Sequence, residues 1–169
     1  MATTINRRFL AIALAGLLLS ACGDAFSANA FEKRPPARGV SEALPREQGP
    51  LVCHVDVIGP IVAPGRQIVM AFAGRALRVA GWAIDQRSRS TASAVDVVID
   101  GVPYAALYGV SRKDVAAFLK DKRYELSGFD FTMPGGVLAA GDHTMSIRVV
   151  RRDGKSFLQS PESLFVLVN

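Results

Sequence analysis

An antiparallel β-sandwich with one short helical crossover is the fold class that the sequence predicts, and three observations predict it. Apolar and polar residues alternate in short runs, the period of a strand with one buried face. Turn signals separate the runs, with Asp100-Gly101 and Asp153-Gly154 in the positions of hairpin turns. One stretch near the middle has helical spacing instead.

Taken in order, Cys53, Val55 and Val57 alternate with His54 and Asp56. Arg75 to Ile84 forms a further strand, with Gly81 as the place for a bulge. Val95, Val97 and Ile99 alternate with Asp96 and Asp100, and Phe129 and Phe131 flank Asp130. Met145, Ile147 and Val149 alternate with Ser146 and Arg148, and Leu164 to Val168 closes the chain. The helix begins with Ser111 as its cap and Asp114 in its first turn, and Val115, Phe118 and Leu119 form its apolar stripe. Lys120 and Lys122 follow at its positive-charge-favouring end. About seven or eight short strands at this spacing make a two-sheet sandwich.

The chain has 169 residues, half of them hydrophobic and 21% charged, a composition that fits one ordinary globular domain. Twenty Lys and Arg against 15 Asp and Glu leave a net charge of +5, too mild and scattered to imply nucleic acid. Three segments follow from the patterning: residues 1–21, 22–50 and 51–169. In the first, Arg7 and Arg8 precede an apolar run from Phe9 to Leu19, the length of a signal-peptide core and about half of a membrane span. In the second, four prolines and three glycines fall after Cys22 among charged and small residues, which reads as an extended, mobile linker with a reach of about 80 Å at polyproline-like rise or about 30 Å as a flexible coil. The third is the β domain.

The apolar run ends in Leu19-Ser20-Ala21-Cys22. This tetrapeptide resembles a bacterial lipobox, in which the cysteine thiol receives diacylglycerol and the signal peptidase cuts before it. The resemblance implies a cleaved signal peptide, a lipid attached at Cys22 and a stable membrane anchor of two or three acyl chains. Gly23 after the cysteine resembles the sorting pattern that favours the outer membrane, with Asp24 next to it as a qualification. The alternatives are an ordinary signal cut after Ala28-Asn29-Ala30 and an uncleaved anchor.

Gly81-Trp82-Ala83-Ile84-Asp85, Val97-Val98-Ile99-Asp100-Gly101, Tyr108-Gly109, Arg112-Lys113-Asp114-Val115, Gly128-Phe129 and Gly141-Asp142-His143 follow in order. This series resembles an immunoglobulin-like β-sandwich module of bacterial envelope and surface-polysaccharide proteins. The likeness runs from about Arg75 to Val168. Lys113 stands where that family usually has proline, which softens the start of the helix. The module resembles an accessory domain, so the resemblance implies architecture more than activity.

Each candidate site has two readings. Trp82, the single tryptophan, either packs between the sheets or stacks on a sugar ring. Tyr104 and Tyr108 share a face of one strand and could extend an aromatic surface. Arg112 is either an ion-pair partner of Asp85 or Asp100 or an anion clamp, and Asp114, like Ser111, is a cap or ion-pair residue. Arg148, Arg151, Arg152 and Lys155 gather around the Asp153-Gly154 turn, as a solvated tip or a surface for acidic partners.

His54 and His143 lack neighbouring ligands for a metal, and Cys53 and His54 point to opposite faces of a strand. No Gly-x-Ser-x-Gly elbow occurs. The expectation is therefore a non-catalytic envelope lipoprotein with no cofactor, presenting its sandwich to a protein partner or to an envelope assembly. The alternative is a module that binds anionic glycan or glycolipid through Trp82, Tyr108 and Arg112.

Overall fold

The computed structural model describes residues 34–65 and 68–169. Within them lie strands β1 (Val52–Ile58), β2 (Ile61–Val62), β3 (Val69–Phe72), β4 (Leu77–Asp85), β5 (Ser90–Thr91) and β6 (Ala94–Ile99). They are followed by β7 (Val102–Ala105), β8 (Leu107–Val110), helix α1 (Lys113–Phe118), β9 (Gly128–Met133), β10 (Gly141–Val150), β11 (Phe157–Gln159) and β12 (Ser163–Val168). One sheet has the order β2-β1-β4-β9-β8 with β5 on β4; the other has β3-β12-β10-β6-β7 with β11 on β10. The protein is mainly β, a two-layer sandwich. All pairs are antiparallel except β3 with β12, which is parallel.

The alternation seen in the sequence sorts correctly in β6, β9 and β10, but in β1 it breaks after Val55, so that Ile58 and not Val57 joins the core. Val79, Ala83, Phe129 and Phe131 of the first sheet face Val95, Val97, Ile147, Val149 and Phe165 of the second, all in one buried core. Burying such side chains contributes about 1.5–3 kcal/mol each, which makes this interface the main source of stability. The expected hairpin at Asp100-Gly101 joins β6 to β7, pairing Ile99 with Val102. The turn at Asp153-Gly154 joins β10 to β11, closed by Arg151 N–H to the Ser156 carbonyl at 2.9 Å.

Four details differ from the sequence reading. The bulge lies in β1 and not at Gly81: Val55 pairs with Gly81 and Val57 with Ala80, leaving Asp56 as the extra residue. Gly81 serves close approach instead, since a methyl group there would overlap the His54 carbonyl oxygen and crowd the Phe129 ring. The Tyr104–Tyr108 segment is two strands, broken at Ala106, where the chain leaves the second sheet for the first. The helical segment joins β8 to its neighbour β9 in the same sheet, so it is an insertion in a hairpin and not a crossover between sheets.

The fourth difference concerns the linker. Cys22 and the signal segment lie outside the described residues. Residues 37–47, however, are bound to the second sheet as a strap and are not a free tether. Ala37 accepts from Ala105 N–H at 3.0 Å, and Gly39 N–H donates to Pro103 at 2.9 Å, closing the edge of β7. A one-turn 3-10 helix (Val40–Ala43) follows, with the buried Asp96 carboxylate accepting from Val40 N–H at 3.2 Å and Ser41 N–H at 2.7 Å. Glu47 N–H then donates to Phe157 at 2.8 Å. Gly39 passes so close to Asp96 that any side chain would collide with it. The folded part therefore reaches back at least to Ala37, ahead of the expected boundary at Leu51.

Candidate functional site

Strand β4 is apolar or small from Val79 to Ile84, so its two faces look alike in sequence. In the fold, Val79 and Ala83 point into the core, and Trp82 points outward. Trp82 sits beside His54, its cross-strand neighbour on β1. The 111–127 segment lies beside this face, and together they border a shallow, open hollow of about 440 Å³ lined by His54, Trp82, Arg112, Asp114, Val115 and Phe118. The inter-sheet position expected for Trp82 is thus corrected to a half-buried place on an outer face.

Helix α1 has a different register from the one expected. Val115 is buried, but Phe118 is 77% exposed and stands at the hollow, not on a buried stripe. Arg112, not Ser111, occupies the cap position, with no side-chain cap bond. A six-residue helix has little room for a full apolar face, which is why only one position is buried.

Arg112 pairs with neither Asp85 nor Asp100. Its guanidinium donates to Asp56 at 2.5 Å and to Asp114 at 2.9 and 2.7 Å. Asp56, the extra residue of the β1 bulge, presents its carboxylate to this guanidinium. These bonds raise the Arg112 pKa further, with Asp114 as the largest cause, and Arg112 in turn holds Asp114 down to about 2. The Arg112 charge is thus neutralised twice over, which leaves little for the expected anion clamp. Its backbone N–H also donates to Glu125 at 2.6 Å, tying the two ends of the helical insertion together.

Tyr108 is absent from the hollow. Its hydroxyl turns inward, donating to the Ala83 carbonyl at 2.7 Å and accepting from Ala92 N–H at 3.0 Å. Burial pushes its pKa up to about 12. Tyr104 belongs to the other sheet, where its ring lies 6.1 Å from that of Phe131. The aromatic surface of Trp82 with Tyr108 is therefore not formed; Phe118 takes that place, a residue that helical periodicity had assigned to the interior.

The remaining polar groups are organised in separate places. Asp85 and Arg151 are both buried and pair at 2.7 Å, and Arg151 also reaches Glu47 of the strap at 3.2 Å. Arg148 lies over the Phe157 ring at 4.6 Å and donates to Gln159 at 3.0 Å. The basic group expected at the hairpin tip is thus partly internal. His143 contacts Asp100 at 2.6 Å and the Ala139 carbonyl at 2.9 Å. Cys53 packs against the core while His54 faces outward, and burial pushes the thiol up to about 11. Among the described residues, no three of His, Cys, Asp and Glu gather in a group that could hold a metal ion.

No family model matches the chain, and no curated protein matches it. Among solved structures, it is similar to part of an endo-β-1,4-mannanase from Thermotoga petrophila, with 12% identity and a TM-score of 0.44. The match covers 73% of this chain and 21% of that one, so the chain spans about a fifth of the length of the mannanase.

Proposed function

We propose that the protein is a non-catalytic lipoprotein of the bacterial envelope, anchored through Cys22 and displayed on the outer membrane, whose sandwich binds an uncharged saccharide in the Trp82–Phe118 hollow. The observation that carries this reading is the outward placement of Trp82 beside an exposed Phe118. Two aromatic rings give apolar faces for the C–H side of a sugar ring, and an indole also donates one hydrogen bond. His54 and Asp114 supply polar groups at the rim. Because Arg112 is held by two carboxylates, the hollow suits neutral sugars better than the anionic glycans expected from sequence.

Calorimetric titration with neutral and uronic-acid oligosaccharides tests this. Binding of neutral members, weakened at least about tenfold by Trp82→Ala in a folded variant, supports it. Binding of the acidic members alone, or none at all, contradicts it. A protein partner is the second reading, favoured by Phe118 and Leu126 exposed together on the helical insertion.

For the anchor, metabolic labelling with a palmitate analogue should mark the wild-type chain and not Cys22→Ala. Equal labelling of both would remove the lipoprotein reading.

A further inference from the structure

The edge of the second sheet at β7 is closed by the chain's own Ala37–Gly39, whereas among the described residues β3 at the opposite edge pairs only with β12. Natural sheets protect such an edge with charges, proline or a bulge. From Ile68 to Gly74 there is no charged residue and no proline. Ile68, Met70 and Phe72 are also 61%, 59% and 51% exposed.

The direction of the backbone groups is determined. In a parallel ladder alternate residues turn both N–H and C=O to the same neighbour. Ala73 N–H donates to the Val168 carbonyl at 2.8 Å, so Val69 and Ala71 face β12, and Met70 and Phe72 face the open edge. There the Phe72 carbonyl is already taken by Arg75 N–H at 3.0 Å.

We propose that two copies of the chain associate through antiparallel pairing of their β3 edges, centred on Met70. In this register Met70 of each copy exchanges both backbone hydrogen bonds with Met70 of the other. Phe72 N–H of each donates to the Ile68 carbonyl of the other, so the occupied Phe72 carbonyl is not needed. A register shifted by one residue on one strand would set inward side chains opposite outward ones. The centred register instead sets Met70 against Met70 and Ile68 against Phe72, all on the outer face, where they form apolar cross-strand pairs. No charged residue lies within the paired Ile68–Phe72 segment, the Arg75 guanidinium flanks it 5.3 Å from the Phe72 ring, and the arrangement is self-complementary as a two-fold interface requires.

The six exposed side chains bury on the order of 600 Å², below the 1,200 Å² or so of a standard interface. The dimer is therefore weak, with a dissociation constant on the order of 100 µM.

Sedimentation velocity of the full chain in nonionic detergent, from about 5 to about 500 µM, tests the proposal. The wild type should pass from monomer to dimer across that range. Met70→Lys sets two ammonium groups side by side at the centre, and Met70→Pro removes an N–H that no strand of the same copy uses. Each should weaken association at least tenfold while leaving the melting temperature within a few degrees. Leu107→Lys, at the exposed edge of the other sheet, should leave association unchanged. A wild type monomeric throughout, dimerisation indifferent to both Met70 variants, or equal weakening by Leu107→Lys would overturn the pairing.

Discussion

Arg151 is a buried guanidinium next to the β10–β11 turn, and its carboxylate partners Asp85 and Glu47 lie 66 and 104 residues before it in the sequence. Asp85, at the end of β4, also accepts from Arg152 N–H at 3.0 Å and Arg87 N–H at 3.2 Å. Burial opposes its charge, but these donors outweigh burial and lower its pKa. Asp85→Ala leaves Arg151 with Glu47 as its carboxylate partner and takes the acceptor from the Arg87 and Arg152 N–H groups, so it should cost about 3 kcal/mol by denaturant unfolding. Because the folded pKa lies below the unfolded one, the contribution of Asp85 is present above pH 4 or so. It is lost as pH falls through the lower, folded value. His143 titrates with the opposite sign. Burial lowers its pKa, but the bonds to Asp100 and Ala139 prevail and raise it above 6.5. Its contribution is full below the unfolded value and declines as pH rises through the folded one. The melting temperatures of wild type and His143→Gln should therefore converge as pH rises above about 6.5. A constant gap would show that the imidazolium adds nothing.

The strap is the element whose role is most open to test. Two of its N–H groups end on Asp96, which is fully buried. Asp96→Ala should expose them at a cost of about 1–3 kcal/mol and speed amide exchange at Val40 and Ser41 far more than in β10. Unaltered exchange there would mean that the flanking backbone pairs hold the strap alone. The sequence hid this element for a physical reason. The proline- and glycine-bearing 22–50 segment that contains it suits an extended chain whether free or bound, and its partner carboxylate lies 55 residues away from Ser41. The strands of the core were legible because each has one buried face, and a period of two follows from that alone. In β4 the period fails, since Ala80 and Ile84 are buried on the face that carries Trp82. The Tyr104–Tyr108 reading failed because a one-residue break at Ala106 moves the chain between sheets without disturbing the alternation. Of the candidate site, Trp82, Arg112 and Asp114 were found from the motif-like spacing; Phe118 and His54 joined it only through the packing of the helical insertion.

At the scale of the whole molecule, the strap brings the sandwich closer to the proposed anchor. Cys22 and Ala37 are separated by at most about 50 Å of extended chain, in place of the longer reach of a free linker ending at Leu51. The two sheets then have separate tasks. The second carries the strap and the uncovered β3 edge, and the first carries the helical insertion with the Trp82–Phe118 hollow. Saccharide binding in that hollow is the central claim, and the protein has a single tryptophan with which to observe it. The most direct measurement is the emission and acrylamide quenching of Trp82 during titration with neutral oligosaccharides. The account predicts an indole accessible to quencher in the free protein, protected and shifted in emission on binding, with the response lost in Phe118→Ala at ligand concentrations that saturate the wild type. An indole inaccessible from the start, or unresponsive to every neutral saccharide, would contradict it.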